Sequence, residues 1–561
     1  MKNFLDCKYG MFIHHTLPWT HYSNGTQPQT IDELADAFDT EGFADSLLRM
    51  GVEYIVFTAW HFQARPLYPS AVTEKWRPGL CPKRDLLGDI IDSVKARGIH
   101  VIFYTHPRDG HDFTEEDKIK TGWGAGGHAE DSQQPDYANF NYEKWNEYTL
   151  ELYNEFAERY AAKITGYYTD SNGPKDPSDL HDPRDHHQVV NYLKIRNIMK
   201  SHNPNLVTFQ NYYNSTYTQD YGNSETYTQY ISSMYGYKHA EKWHCSRNVA
   251  TTLIPFNAGW SCAESNNGGS ILIAPVDELI KYTLFNGSCS DCGNVLFASA
   301  PFAEGNIWST GVEDTMIQIR NVLSQYTDSF MNARPSNSYP TLPGSTLEDN
   351  KMRFFMTNGN REYLHLISVP QNGVIEFGLP EDDIKLCAPV SDSLDILSFE
   401  KTENGYKLTV KVNSEKLDHV IAFNRCGTPL PKKYEWINSS DKRMCYTGCW
   451  FNSFCSGDDD IHRADGNFER ELYCSCSNGD CLTLVFEGSA IELYGAYKST
   501  YGKASVYIDG IFCAELSEYA PDIKPHVLLY RSEYLYGGRH VLQVYANDDK
   551  LFTVDAVKVI F

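Results

Sequence analysis

Ile164-Thr-Gly-Tyr-Tyr-Thr-Asp170-Ser-Asn-Gly173 is an apolar, β-branched run that ends in one carboxylate and breaks at once into a turn. A buried parallel strand reads this way when its last residue delivers a functional group at the rim of the sheet. On either side, short strands alternate with amphipathic helices. The pattern predicts an α/β fold, a (β/α)8-like TIM barrel over residues 1–335. Such barrels carry their chemistry at the C-terminal strand ends, which makes Asp170 the first catalytic candidate. The plainer reading of Asp170 is a turn opener, a role aspartate often fills.

Working outward, Tyr9-Gly-Met-Phe-Ile-His-His15 reads as the first strand, and a loop with Trp19, His21 and Tyr22 follows it. Leu34, Phe38, Leu47 and Leu48 recur at helical spacing and predict one helix over Ile31–Met50, stopped by Gly51. Tyr54–Thr58 is the second strand, with Trp60 and His61 in its exit loop. A helix over Asp85–Arg97, closed by Gly98, leads to the third strand, His100–Tyr104, which exits through His106 and Arg108. A long loop with Trp123 and His128 then precedes a helix from about Asn141 to Ala162. After Asp170, strands are expected at Leu206–Asn211, Lys242–Arg247 and Gly293–Ala298.

Beyond Ser336 the pattern changes to short alternating strands with turn residues between them. Met352–Val369, Gly373–Leu379 and Tyr406–Ala422 predict a small β-sandwich over residues 336–425. Cys426–Lys433 reads as a linker, and a second β-sandwich is expected over 434–561.

Composition narrows the function classes. A net charge of −24 without any basic run argues against a nucleic-acid partner. No apolar run reaches the ~20 residues needed to span a bilayer, so no membrane partner is expected. The opening residues lack a long apolar core and a small-residue cleavage site, which predicts a cytoplasmic protein. In that compartment most of the 15 cysteines are expected as thiols. Aromatics reach 14%; rings suit the apolar face of a pyranose, although ordinary core packing accounts for most of them. His106, His111, Asp109 and Asp112 could suggest a metal cluster, but their spacing matches no ligand motif, and a polar substrate loop is the better reading. No metal or cofactor is expected. Composition gives no oligomeric state.

Four segments in order carry a resemblance to the α-L-fucosidases of glycoside hydrolase family 29. They are Tyr9-Gly-Met-Phe-Ile-His14; Gly51-Val-Glu-Tyr-Ile-Val-Phe-Thr58 with Trp60-His61 and Leu67-Tyr-Pro-Ser70; Gly166-Tyr-Tyr-Thr-Asp170; and Gly293-Asn-Val-Leu-Phe-Ala-Ser-Ala-Pro301. The resemblance implies a retaining, exo-acting glycosidase in which Asp170 is the nucleophile and a second acid lies about 5–5.5 Å away. It implies a glycan substrate, with His14, His15, Trp60, His61, Tyr104, His106 and Trp260 shaping the sugar site.

This chain also departs from the family pattern. His61 is followed by Phe62 where a second histidine is usual, and Gln210-Asn211 stands where an arginine is common. Trp243-His244 stands where many members carry a Trp and the acid/base glutamate. Glu225, Glu264 and His244 are therefore all candidates for the acid. Two rival readings stay open: a glycan-binding protein that has lost its acid, and a glycosidase for another sugar. The last domain is similar to galactose-binding-like β-sandwich modules through Phe486-Glu-Gly-Ser-Ala-Ile-Glu-Leu-Tyr-Gly495, Val506-Tyr-Ile-Asp-Gly510 and Leu535–Leu542.

Overall fold

The computed structural model describes residues 2–61, 63–108, 110, 112–124, 141–170, 190–211, 221–227, 248–255, 260–262, 274–288, 294–336, 339, 342, 353–379, 385–426, 434–448, 450–452, 468, 472–475, 477–535 and 538–561. Eight parallel strands close a barrel in sequence order. They are β1 (Tyr9–Ile13), β2 (Tyr54–Trp60), β3 (His100–Thr105), β4 (Gly166–Thr169), β5 (Val207–Asn211), β6 (Tyr221–Tyr227), β7 (Asn248–Ile254) and β8 (Asn294–Ala298). β8 returns to β1 with Tyr9 opposite Val295 and Phe12 opposite Ala298, which closes the ring. Together with the two β-sandwiches that follow, this is the predicted fold class.

Side-chain alternation divides the barrel into two apolar layers. Met11, Ile13, Ile55, Phe57, Phe103 and Phe297 point outward, under the helices. Phe12, Tyr54, Val56, Ile102, Tyr168 and Leu296 point inward and fill the barrel. At the lower end Phe4, from a short helical turn ahead of β1, inserts against Tyr54 and Phe209 at ring separations of 5.2 and 5.7 Å. Gly10 makes this floor possible: a Cβ there would come within 2.5 Å of the Tyr54 carbonyl oxygen and 2.8 Å of its ring.

The helices follow their sequence signals with one change. The stretch expected as a single helix is two, Ile31–Asp36 and Thr40–Met50, because Asp39 leaves the helix to cap the second one through Gly42 N–H. Gly51 ends that helix at φ 70°, in the left-handed region glycine adopts at low cost. The helix before β3 spans Leu86–Ala96 with Asp85 as its N-cap, and the one before β4 begins at Tyr142. Among the described residues, no helix is long and apolar enough to cross a membrane.

The later barrel strands depart from expectation. Lys242–Arg247 lies outside the described residues, and the strand described there is β7, Asn248–Ile254. β6 was not anticipated, since Tyr-Gly-Asn-Ser-Glu-Thr-Tyr has no apolar alternation to mark it.

After the barrel, a five-stranded and a three-stranded antiparallel sheet pack around Leu364, Ile375, Phe377, Leu408, Ile421 and Phe423. A buried pair ties this sandwich to the barrel. His365 Nδ1 lies 2.6 Å from Asp418 Oδ2 and its Nε2 3.0 Å from the Ser329 carbonyl, while Tyr326 Oη donates to the Asp418 carbonyl. Among the described residues, Cys387 and Cys426 form a disulfide between paired strands, whereas Cys7, Cys81, Cys445, Cys481 and Cys513 are thiols. The terminal sandwich has sheets of four, five and three strands around a separate core that includes Leu482, Leu493, Val506 and Val544. Arg196 of the barrel donates to the Tyr446 carbonyl in this last unit.

Candidate active site

The upper end of the barrel gathers side chains from the ends of four strands. Asp170 follows β4, and its backbone N–H donates to the Thr105 carbonyl at 2.9 Å. Its carboxylate Oδ2 accepts a 2.6 Å hydrogen bond from Tyr104 Oη on β3. Tyr104 is fully buried and stacks on Tyr168 at 5.5 Å. Threonines hold the strand ends beneath: Thr105 Oγ1 donates to the Tyr168 carbonyl and accepts from Tyr153, and Thr169 Oγ1 donates to the Phe209 carbonyl. The Tyr104 phenol thereby fixes one carboxylate oxygen of Asp170 in a short, charge-assisted hydrogen bond.

Histidines form the wall beside this pair. His14 lies 4.8 Å from Tyr104 and 4.9 Å from His61, ring to ring. Thr58 Oγ1 donates its one hydrogen to the Ile13 carbonyl at 3.0 Å, so at 3.4 Å it can only accept from His14 Nδ1. His61 stacks on His106 at 5.2 Å with an interplanar angle of 12°. Trp260 stands 5.6 Å from His14.

The two exit loops that carry His61 and His106 are tied together. Buried Arg77 donates to the carbonyls of Gln63 and Ala64 and reaches Asp112 at 2.9 Å, and Arg65 meets the other Asp112 oxygen at 2.6 Å. Asp112 is thus engaged by two guanidiniums. Asp109 and His111 lie outside the described residues. Among the described residues, no three His, Cys, Asp or Glu side chains gather in a metal-binding group.

Three of the expected site residues sort differently. His15 points outward, fully buried, with its ring 4.7 Å from Phe38 and 5.8 Å from Phe57. Burial pushes its pKa down to about 3, with the Leu34 backbone opposing in part, so His15 is a neutral core residue. Trp60 also leaves the interior. Between Thr58 and Trp60 the pairing of β2 with β3 slips by one residue, and this irregularity turns Trp60 outward against Tyr153 and Phe156 while His61 turns in. Glu225 lies within β6, opposite Thr252, and not in a loop. Glu264 and His244 lie outside the described residues. The structure therefore brings Asp170, Tyr104, His14, His61, His106 and Trp260 together, with His15 turned away from them and Trp60 reaching them only through its indole N–H, which donates to the His106 carbonyl at 3.2 Å.

One neighbour was missed. Trp19 stands 4.9 Å from His61 and 6.2 Å from His14. The available signal was a large aromatic in the exit loop of a strand whose end already carried a candidate histidine.

A family model described as alpha-L-fucosidase matches residues 20–310. A Caenorhabditis elegans protein named for alpha-L-fucosidase is 29% identical over 129 residues, which is 18% of this chain and 27% of that protein. The match thus spans about a quarter of that curated relative. The crystal structure of an alpha-L-fucosidase from a Vibrio species superposes with a TM-score of 0.53 at 13% identity, over 100% of this chain and 97% of that one. A family 29 alpha-L-fucosidase from Bacteroides thetaiotaomicron, described as a trapped covalent intermediate with 2-fluoro-fucosyl fluoride, superposes with a TM-score of 0.51 at 15% identity, over 76% and 95% of the two chains. At these identities the superpositions establish the shared fold.

Proposed function

Because the chain belongs to the alpha-L-fucosidase family, we propose that it is an exo-acting, retaining glycoside hydrolase acting on α-L-fucosides or a closely related α-glycoside. The observation that carries this reading is the 2.6 Å Tyr104–Asp170 hydrogen bond in a mouth walled by His14, His61 and His106. Asp170 attacks the anomeric carbon with its carboxylate, which Tyr104 holds through Oδ2. The bond to the aglycone oxygen breaks as a second acid protonates that oxygen, and a glycosyl ester forms on Asp170. Water, deprotonated by the same group, then attacks the ester and releases the sugar with its configuration retained. The His14 ring is placed to hydrogen-bond a sugar hydroxyl, and Trp260 and Trp19 stand beside it as rings for the sugar's C–H surface. Glu225, Glu264 and His244 remain the candidates for the acid. The name of the Bacteroides protein, a trapped covalent intermediate, supports the two-step course.

The test is release of nitrophenol from an aryl α-L-fucoside, with the first-formed anomer read by proton NMR. Wild type should release the α anomer, and Asp170→Ala should lower turnover by on the order of 10⁴-fold or more. Turnover of another aryl glycoside alone would keep the mechanism and change the sugar. An aryl leaving group needs little protonation, so silence across an aryl panel would leave a glycan-binding barrel instead.

A further inference from the structure

The exit loop of β2 carries backbone strain that the barrel chemistry leaves unexplained. Leu67 N–H donates to the Ala59 carbonyl at 2.9 Å and closes the segment between them into a compact loop. Within it, Gln63 N–H donates to the His61 carbonyl at 2.6 Å, and Ala64 sits at φ 48°. That is the left-handed region, which a residue with a side chain occupies only when its surroundings hold it there. The strained residue lies just beyond His61, whose ring stands in the barrel mouth. The residue after His61 is Phe62, so the second imidazole of this wall is His106, stacked on His61 from the exit loop of β3.

One guanidinium accounts for the strain. Arg77 follows the short helix Ala71–Trp76, and its side chain is 0% exposed. Nη1 donates to the Gln63 carbonyl at 3.0 Å and to the Ala64 carbonyl at 3.5 Å. Nη2 donates to Asp112 Oδ1 at 2.9 Å, Nε lies 3.5 Å from Asp117, and the guanidinium covers the Phe113 ring at 3.8 Å. Arg65, next to the strained residue, donates to the other Asp112 oxygen at 2.8 Å. Ala64 is therefore pinned on both sides, its own carbonyl by Arg77 and the following side chain by Asp112. Asp112 belongs to the exit loop of β3, so the same guanidinium fixes the loop of His61 against the loop of His106. The Trp60 indole N–H adds a second tie through the His106 carbonyl. Charges buried in pairs like these return little net stability compared with an apolar core of the same volume, and their worth lies in a fixed geometry.

We propose that Arg77 is a positioning residue of the barrel mouth: it holds Ala64 in its left-handed conformation and thereby sets the His61–His106 stack beside Asp170. It acts through two carbonyls and one carboxylate. The inference rests on the reaction proposed at Asp170 and adds what aims the histidines there. Without Arg77, Ala64 relaxes to an ordinary φ, the Gln63 and Ala64 carbonyls turn, and His61 swings off His106. Ala64→Gly would let the loop keep its path without being held, since glycine adopts positive φ at little cost. Arg77 becomes partly dispensable in that background, an outcome that a packing role does not produce.

The test compares Arg77→Met with Arg77→Met/Ala64→Gly in the full chain. The readouts are turnover of an aryl α-L-fucoside and the histidine Hε1 resonances, assigned by single His→Gln variants. A misplacement of about 1 Å can cost on the order of 100-fold, so kcat/KM should fall about 30-fold in Arg77→Met and return to within about threefold of wild type in the double variant. The His61 and His106 resonances should shift in the first and return in the second. The resonance of His100, bonded to Thr165 and the Lys2 carbonyl, should stay in place in both. If Arg77→Met melts too early to assay, Asp112→Asn weakens both anchors at nearly constant volume. Its loss, about tenfold, should likewise be relieved by Ala64→Gly. Failure of Ala64→Gly to restore either readout would make Arg77 a packing residue and overturn the proposal, as would His61 and His106 resonances that do not move when Arg77 is replaced. If the wild type turns over no aryl glycoside, the proposed function fails, and the resonances by themselves then uphold or overturn the clamp.

Discussion

Adjacent residues at the top of β1 and β2 have opposite fates. His14 and His61 face the inside of the barrel among polar and aromatic groups, whereas His15 and Trp60, one residue away, face the helices among Phe38, Phe57, Tyr153 and Phe156. The inner face gathers polar and aromatic groups at the mouth of the barrel, and the outer face packs under the helices. Residue type does not distinguish the two faces. Side-chain direction does.

That division can be broken by substitution. Trp60→Ala should cost about 3–5 kcal/mol of stability through the cavity it leaves, read as a lowered urea midpoint, with turnover per folded molecule preserved. Loss of turnover at an unchanged midpoint would return Trp60 to the sugar site. Tyr104→Phe tests the inner face. It removes a charge-assisted hydrogen bond worth about 1.5–3 kcal/mol, so kcat should fall roughly 10- to 100-fold while the melting temperature changes little. A large drop in melting temperature with kcat intact would make Tyr104 a packing residue.

His15 gives the smallest and sharpest test. Its pKa is pushed down to about 3 in the folded state, against an ordinary value near 6.5. As pH falls below about 6.5 the unfolded chain takes up a proton that the folded one refuses until about pH 3. Stability should therefore decline by about 1.4 kcal/mol per pH unit in that window from this residue. In His15→Leu the decline between pH 6 and 5, measured by urea unfolding, should be shallower by that amount. An equal slope in both proteins would mean that His15 is reached by solvent protons.

Much of this was legible beforehand. The period-two pattern Met11, Ile13, His15 against Phe12, His14 already separates the two histidines, and naming both as sugar ligands ignored it. Trp60 is different. Its direction depends on a one-residue irregularity between β2 and β3, and such a slip reverses every later side chain without leaving a compositional trace. Asp39 is a third kind of case: apolar spacing continues across it, so only its side-chain bond to Gly42 N–H reveals that the helix restarts there. Asp170 stood out because an apolar strand ended in a single carboxylate, but its partner Tyr104 was one of many tyrosines until the barrel closed and brought β3 beside β4. Glu225, one of the three acid candidates, was misplaced in a loop because the strand that carries it has no apolar alternation.

Phe4 has a bearing on traffic. Seated against Tyr54 and Phe209, it fills the lower end of the barrel among the described residues and leaves the upper end as the way in. Whatever enters deepest must leave last. In the proposed reaction the aglycone lies above the sugar and departs first, water follows it in, and the free sugar exits only when the path is clear. Free sugar should then compete directly with incoming substrate, and released aglycone should not. A steady-state product-inhibition pattern would test that order of release.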